Sequence, residues 1–155
     1  MNSLISGFSS CIAVKVKEVM RRPVVTVGPK DAVWQALEVM RSTNIGAVVV
    51  AEGERPVGIL TESDVVRLLV DRGMGITELL SVPVESVMSR PVTTCSPDED
   101  LIEVVNRMVE RRVRRLPVVE GEKLVGILTE RDLLRALLEL LRSARTEEAR
   151  QGTRA

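Results

Sequence analysis

Two segments of the chain end an apolar run with a threonine and place an aspartate three residues after it. They read Gly-Ile-Leu-Thr-Glu-Ser-Asp at Gly58 to Asp64 and Gly-Ile-Leu-Thr-Glu-Arg-Asp at Gly126 to Asp132. If a strand ends and a helix begins at the threonine, free N–H groups and the positive helix end suit a phosphate or a ribose. The aspartate can accept hydrogen bonds from vicinal hydroxyl groups, and the threonine hydroxyl can donate one to a phosphate oxygen. The same spacing is that of a capping box without a ligand, so both interpretations stay open.

Composition argues against most catalytic chemistry. The chain has 155 residues, no histidine and two cysteines, Cys11 and Cys95, so catalysis by Ser-His-Asp or Cys-His and a cysteine zinc site are excluded. We expect no catalytic residues, no metal site and no enzyme activity, and we expect both thiols to be reduced.

Lysine and arginine number 22, as do aspartate and glutamate, and this balance argues against broad binding of nucleic acid or acidic membranes.

The segments belong to a tandem repeat. A shift of 68 residues takes Val-Met-Arg-Arg-Pro at Val19 to Val-Met-Ser-Arg-Pro at Val87, and the same shift superposes the two Thr-x-x-Asp segments without a gap. Two copies are too few for a solenoid, so we expect two halves that pack about a pseudo-twofold axis.

Each copy has the pattern β-α-β-β-α. Residues 23–27 and 91–95 are β-rich. The following helices begin within Gly28-Pro-Lys-Asp and within the stronger motif Ser96-Pro-Asp-Glu, which has the serine as cap and the proline as first helical residue. Two apolar strands joined by a Glu-Gly-Glu turn come next, and a second helix starts near the threonine. Leucines supply the buried stripe of these last helices: Leu68, Leu69, Leu133, Leu134, Leu137, Leu138 and Leu141. We predict a tail at 1–13, repeats at 14–71 and 84–142, a linker at 72–83 and a frayed polar tail at 143–155.

The doubled pattern Val-Met-x-x-Pro, a helix, then Val-Gly-Ile-Leu-Thr-x-x-Asp resembles a pair of cystathionine β-synthase (CBS) domains, often called a Bateman module. The resemblance covers about residues 14–142. It implies an α/β (α+β) fold in which two β-α-β-β-α repeats pack sheet against sheet as one disc. It also implies two clefts that in many relatives hold AMP, ADP, ATP or S-adenosylmethionine.

The resemblance further implies that each cleft combines the Ile-Leu-Thr-x-x-Asp segment of one copy with the first strand of the other. One cleft would contain Ile59, Thr61, Asp64, Met88, Val92 and Thr93. The other would contain Ile127, Thr129, Asp132, Met20, Val24 and Val25. Apolar side chains suit the faces of an adenine, although the methionines and valines could equally be core residues.

The two clefts are expected to differ in charge. Arg111-Arg-Val-Arg-Arg115 precedes a strand of the second copy, where the first copy has Thr-Asn-Ile-Gly-Ala. A guanidinium binds phosphate oxygens in a bidentate manner, and the resemblance implies a basic residue at Arg115. We therefore expect the cleft of Thr129 and Asp132 to prefer phosphorylated ligands, with Arg115 and Arg114 as phosphate contacts. A solvated helix end balanced by acidic neighbours is the alternative.

A regulatory module that senses an adenosine-containing ligand and signals to a partner protein is the function we predict. A structural dimerisation adaptor without ligand binding is the alternative, and a nucleic-acid role for the arginines is a weaker one. The resemblance implies a homodimer, and the leucine-rich last helix carries more apolar surface than one small disc needs. The first 14 residues are too short and too interrupted by serine and glycine to span a bilayer, so we expect a cytoplasmic protein without membrane contact.

Overall fold

The computed structural model describes residues 13–152, and Cys11 lies outside this range. Its strands are β1 (Thr26–Val27), β2 (Ala47–Glu52), β3 (Arg55–Thr61), β4 (Arg115–Glu120) and β5 (Lys123–Thr129). Its helices are α1 (Val33–Thr43), α2 (Glu62–Asp71), α3 (Ile76–Ser81), α4 (Leu101–Arg111) and α5 (Glu130–Gly152), and short 3-10 turns form at Val16–Glu18 and Val84–Ser86. Within 13–152 no helix is both long and apolar enough to cross a membrane.

The two repeats build matching hairpins. Strands β2 and β3 pair antiparallel from Ala47 opposite Thr61, and β4 and β5 pair in the same way from Arg115 opposite Thr129. Each hairpin has one register shift, after Val50 and after Val118, which the 68-residue repeat makes equivalent. The α/β fold of two repeats is therefore as the repeat predicted.

The first strand of each repeat is shorter than expected. In the first repeat only Thr26 and Val27 pair, in parallel, with β2. In the second repeat a single parallel bridge joins Cys95 to Val118. The expected strands begin at Pro23 and Pro91, and a proline has no N–H group with which to extend a ladder of hydrogen bonds.

The first helix of each repeat starts later than its cap motif suggested. Helix α4 begins at Leu101, capped by Asp100, whose Oδ1 accepts a hydrogen bond of 3.0 Å from the N–H of Ile102. Ser96 donates its N–H to Glu99 over 2.7 Å, which closes a turn before the helix. The expected cap at Ser96 was wrong: Glu99 accepts the N–H of Ser96 but also binds Arg107 within α4, and the helix begins only after Asp100.

The segment between the repeats contains structure of its own. Helix α3 lies within the expected linker, and its Leu79 is 2% exposed in the core of the first repeat. The linker is thus a packed element that helps to cover the first repeat.

Helix α5 differs from expectation at both its surface and its end. Leu133 is buried, but Leu134, Leu137, Leu138 and Leu141 are between 51% and 60% exposed, so the expected buried stripe was wrong for these four. The helix also continues to Gly152 instead of giving way to a frayed tail after residue 142. Alanine, arginine, glutamate and glutamine dominate residues 144–151, and all of them favour helix.

The first segment of each repeat packs in the core of the other repeat. Val14, Val16, Val19 and Met20 pack in the core of the second repeat with Leu116. The corresponding residues of the second repeat, from Val82 to Met88, pack in the core of the first with Leu60. This exchange brings the start of each repeat to the strand that ends at the threonine and aspartate of the other.

Candidate functional site

The Thr-x-x-Asp segment of the first repeat forms a complete capping box. Thr61 is the N-cap of α2, and its Oγ1 accepts a hydrogen bond of 3.1 Å from the N–H of Asp64. In return, Oδ2 of Asp64 accepts the N–H of Thr61 over 3.1 Å. Among residues 13–152, nothing donates to Oδ1 of Asp64, so one carboxylate oxygen remains for a further donor.

The second repeat has the same box with one addition. Oδ2 of Asp132 accepts the N–H of Thr129 over 3.2 Å and its hydroxyl over 2.7 Å. Oδ1 of Asp132 is bound by Nε of Arg21 over 2.5 Å. The Asp132 side chain is only 4% exposed whereas that of Arg21 is 51% exposed, so the guanidinium covers the carboxylate from the solvent side.

The first helical turns offer fewer free N–H groups than the sequence suggested. The N–H of Glu62 donates to the carbonyl of Gly46 over 3.0 Å, and that of Glu130 donates to the carbonyl of Arg114 over 2.9 Å. The N–H of each aspartate is taken by the threonine hydroxyl. Two of the first three helical N–H groups are thus satisfied in each repeat, and the expectation that they face a ligand was wrong for these positions.

A reciprocal backbone bridge fixes the other side of each site. Ile59 exchanges two hydrogen bonds with Ser89, of 3.1 and 2.8 Å, and Ile127 exchanges two with Arg21, of 3.0 and 2.9 Å. A segment of the opposite repeat therefore lies against each of the strands that end at Thr61 and Thr129. We call these sites the first cleft, with Asp64, and the second cleft, with Asp132.

Met88 and Met20 explain the glycines that begin the motif. A Cβ at Gly58 would overlap the thioether of Met88, and a Cβ at Gly126 would lie 2.6 Å from the sulfur of Met20. Each glycine lets the methionine of the other repeat lie directly on the strand. Both methionines are partly buried and pack against a core, and the exposed part of each is accessible to a ligand.

Two surface grooves run beside the exchanged segments. One, of about 470 Å³, is lined by Arg55, Pro56, Val57, Arg90, Pro91, Val92 and Thr94. The other, of about 330 Å³, is lined by Pro23, Val24, Thr26, Ala51, Gly53, Glu54, Leu124 and Val125. Each contains one predicted adenine contact, Val92 or Val24. Val25 packs against the first core, and neither Thr93 nor either aspartate lines a groove, so the structure brings the predicted residues together only in part.

The arginines occupy different places. Nη2 of Arg115 lies 3.7 Å from the position that a Cβ on Gly46 would take, and Oε2 of Glu62 lies 3.3 Å from that position. The backbone of Arg115 pairs with Thr129 in the second repeat, but its side chain extends towards Gly46 and the start of α2. The expected place of Arg115 was the cleft of Asp132, where the structure has Arg21 on the carboxylate instead. Arg114 is exposed and caps α5 through its carbonyl.

Arg21 was not among the predicted site residues. The sequence contained a signal for it, because the repeats differ at this position: the second copy has Ser89 where the first has Arg21.

Within 13–152, no group of three or more metal-binding side chains comes together.

Comparison with known proteins agrees with this architecture. The CBS domain model matches residues 16–71 and 84–139. An uncharacterized protein of Methanopyrus kandleri, MK0525, is 39% identical over 79% of this chain, which spans 62% of that relative. The CBS domain-containing protein YhcV of Bacillus subtilis is 34% identical over 76% of this chain and 81% of its own.

Solved structures show the same fold. The CBS domain pair of protein MJ0100, crystallised in complex with 5′-methylthioadenosine and S-adenosyl-L-methionine, has a TM-score of 0.71 at 25% identity. The match covers 81% of this chain and 97% of that one. With both of its repeats matched by the family model and the exchanged segments in place, this chain belongs to the CBS domain family.

Proposed function

We propose that this chain is a regulatory module that binds an adenosine-containing ligand in the clefts between its repeats and signals to a partner protein. The observation that carries the proposal is the free oxygen of Asp64 beside the exchanged segment of the other repeat. A carboxylate in that position can accept a hydrogen bond from a ribose hydroxyl while its other oxygen continues to cap α2. The complex of the related MJ0100 domain pair supports a ligand of this class.

The surroundings of the first cleft suit the remaining parts of such a ligand. Met88 and Val92 offer apolar surface to an adenine, and the adjacent groove has a volume within the range of small-molecule sites. Arg55 and Arg90 line that groove, and Arg115 extends towards the start of α2. These guanidinium groups favour AMP, ADP or ATP, and S-adenosylmethionine is the alternative ligand.

Signalling would follow from the position of the clefts. A ligand held by residues of both repeats binds most tightly at one relative angle of the halves, and it shifts the population towards that arrangement only by its difference in affinity. We propose no catalytic step, in keeping with the absence of histidine from the sequence.

The test is calorimetric titration of AMP, ADP, ATP and S-adenosylmethionine into wild type, Asp64→Asn and Asp132→Asn, in protein shown to be free of bound nucleotide. Asparagine keeps one oxygen to accept the N–H of the threonine, so the helix cap survives, but it places an NH2 donor where the second carboxylate oxygen would accept a ribose hydroxyl. We expect a tenfold or larger loss of affinity at the altered cleft. Asp64→Asn should change the melting temperature little, whereas Asp132→Asn also removes the ion pair with Arg21 and should lower it. Binding that is equal in all three proteins would contradict the proposed role of the aspartates.

A structural dimerisation adaptor is the second candidate, and the exposed apolar face of α5 favours it. Leu134, Leu137, Leu138 and Leu141 share this face with more than half of each side chain exposed. Burying them against a second copy would stabilise a homodimer, which we also propose for the ligand-binding module. A dimeric mass by light scattering, together with no heat of binding for any adenosine ligand, would favour the adaptor.

A further inference from the structure

We propose that Arg21 is the specificity-determining residue of the second cleft and makes this cleft selective for phosphorylated adenosines. The inference rests on the proposed function and goes beyond it, because it gives the second cleft a discrimination against unphosphorylated adenosine that the repeat alone would not predict. It starts from the ion pair between Nε of Arg21 and Oδ1 of Asp132.

The ion pair with Arg21 occupies the carboxylate oxygen of Asp132 to which a ribose hydroxyl would donate. Oδ2 of Asp132 already accepts two hydrogen bonds from Thr129, so Oδ1 is the oxygen that a further donor would have to reach. Arg21 holds that oxygen at 2.5 Å, and the Asp132 side chain is almost fully buried beneath it. Because the Asp132 side chain is only 4% exposed with the guanidinium in place, a ribose gains access to Oδ1 by displacing Arg21.

Displacement has different consequences for neutral and anionic ligands. Adenosine breaks a charge-assisted hydrogen bond and offers the guanidinium only neutral hydroxyl groups in return. A phosphorylated adenosine supplies a new anion that the guanidinium can bind through two N–H groups at once. Because half of the Arg21 side chain is exposed, it has room to move from the carboxylate to a phosphate at the mouth of the cleft.

The first cleft provides an internal comparison. Ser89 stands where the second cleft has Arg21, makes the equivalent backbone bridge to Ile59, and carries no charge. Oδ1 of Asp64 is correspondingly open among the described residues. The first cleft should thus accept adenosine without a penalty from an internal cation.

The experiment observes each cleft in a background that weakens the other. In the Asp64→Asn background, which leaves the second cleft, calorimetric titrations with adenosine and AMP are compared with and without Arg21→Ser. In the Asp132→Asn background, the same titrations are run with and without Ser89→Arg. Arg21→Gln, which retains a neutral donor, is measured as well in case Arg21→Ser does not fold. Circular dichroism verifies that each variant is folded.

We expect Arg21→Ser to raise the affinity of the second cleft for adenosine about tenfold and to lower its preference for AMP over adenosine by more than that factor. Ser89→Arg should lower the affinity of the first cleft for adenosine. Raising the salt concentration should strengthen adenosine binding to the second cleft, because adenosine is neutral and salt weakens only the internal ion pair.

The outcomes separate the two proposals. If the first cleft binds adenosine but Arg21→Ser and Arg21→Gln leave the second cleft unchanged or weaker, the role of Arg21 is wrong and the proposed function stands. If neither cleft binds any adenosine ligand in any variant, the proposed function and the role of Arg21 both fail.

Discussion

Gly58→Ala tests the packing that joins the repeats. The new Cβ would overlap the sulfur of Met88 and lie 2.7 Å from its Cγ, so the methionine must leave its place on β3. Overpacking of this kind costs about 1–3 kcal/mol, and the lower entropy of the unfolded chain offsets about 0.4–1 kcal/mol of that cost. We expect a net loss of about 1–2 kcal/mol in the free energy of unfolding.

A double-mutant cycle shows whether Met88 is the cause. Met88→Ala alone should cost about 2 kcal/mol, at the low end for methionine because the side chain is only partly buried. In the double variant the alanine Cβ no longer meets a side chain, so the combined cost should fall short of the sum by about 1–2 kcal/mol. Urea unfolding of the four proteins, with m-values that do not change, measures this coupling.

The second repeat supplies a matched control. A Cβ at Gly126 meets Met20, but it also lies 3.2 Å from the backbone carbonyl oxygen of Arg21, which cannot rotate away. Met20→Ala should therefore relieve Gly126→Ala less completely than Met88→Ala relieves Gly58→Ala. Costs that add within about 0.5 kcal/mol for Gly58 and Met88 would refute the reasoning.

Three further predictions concern groups outside the clefts. Burial raises the pKa of the Cys95 thiol to about 12. Iodoacetamide at pH 8 should therefore modify the Cys95 peptide much more slowly in native protein than in urea-unfolded protein. Equal rates would contradict burial of the thiol. The hydrogen bond from Arg107 lowers the pKa of Glu99 below its ordinary value of 4.5, so this carboxylate stabilises the fold above pH 4.5 and loses that effect as the pH falls through its folded pKa. Glu99→Gln should accordingly lower the melting temperature at pH 7 but much less at pH 3, and an equal loss at both would be inconsistent with the ion pair. Leu138→Asp on α5 should reduce a dimeric mass in light scattering to that of the monomer, whereas Val109→Asp, at a position 72% exposed on α4, should leave it unchanged; a monomeric wild type at micromolar concentration would remove the homodimer.

Local features could be predicted from the sequence because neighbouring residues decide them. The capping boxes of Thr61 and Thr129 depend on contacts three residues apart, and the structure contains both. The exception at Ser96 is informative. Its Glu99 lies within reach of Arg107, a partner eight residues away that the local pattern does not include.

The sequence by itself determined that two equivalent β-α-β-β-α repeats exist and which faces of their elements are apolar. Apolar periodicity indicates which face of a helix or strand is apolar, but it does not indicate which other element covers that face. Tertiary structure alone decided that half of the α5 leucines' surface stays open in one chain and that Arg21 meets Asp132, 111 residues away. The physical reason is that both outcomes depend on contacts between residues far apart in the chain: the exchanged segment brings Arg21 to Asp132, and the described elements leave one face of α5 uncovered. Arginine in place of serine gives one cleft an internal cation within the same fold.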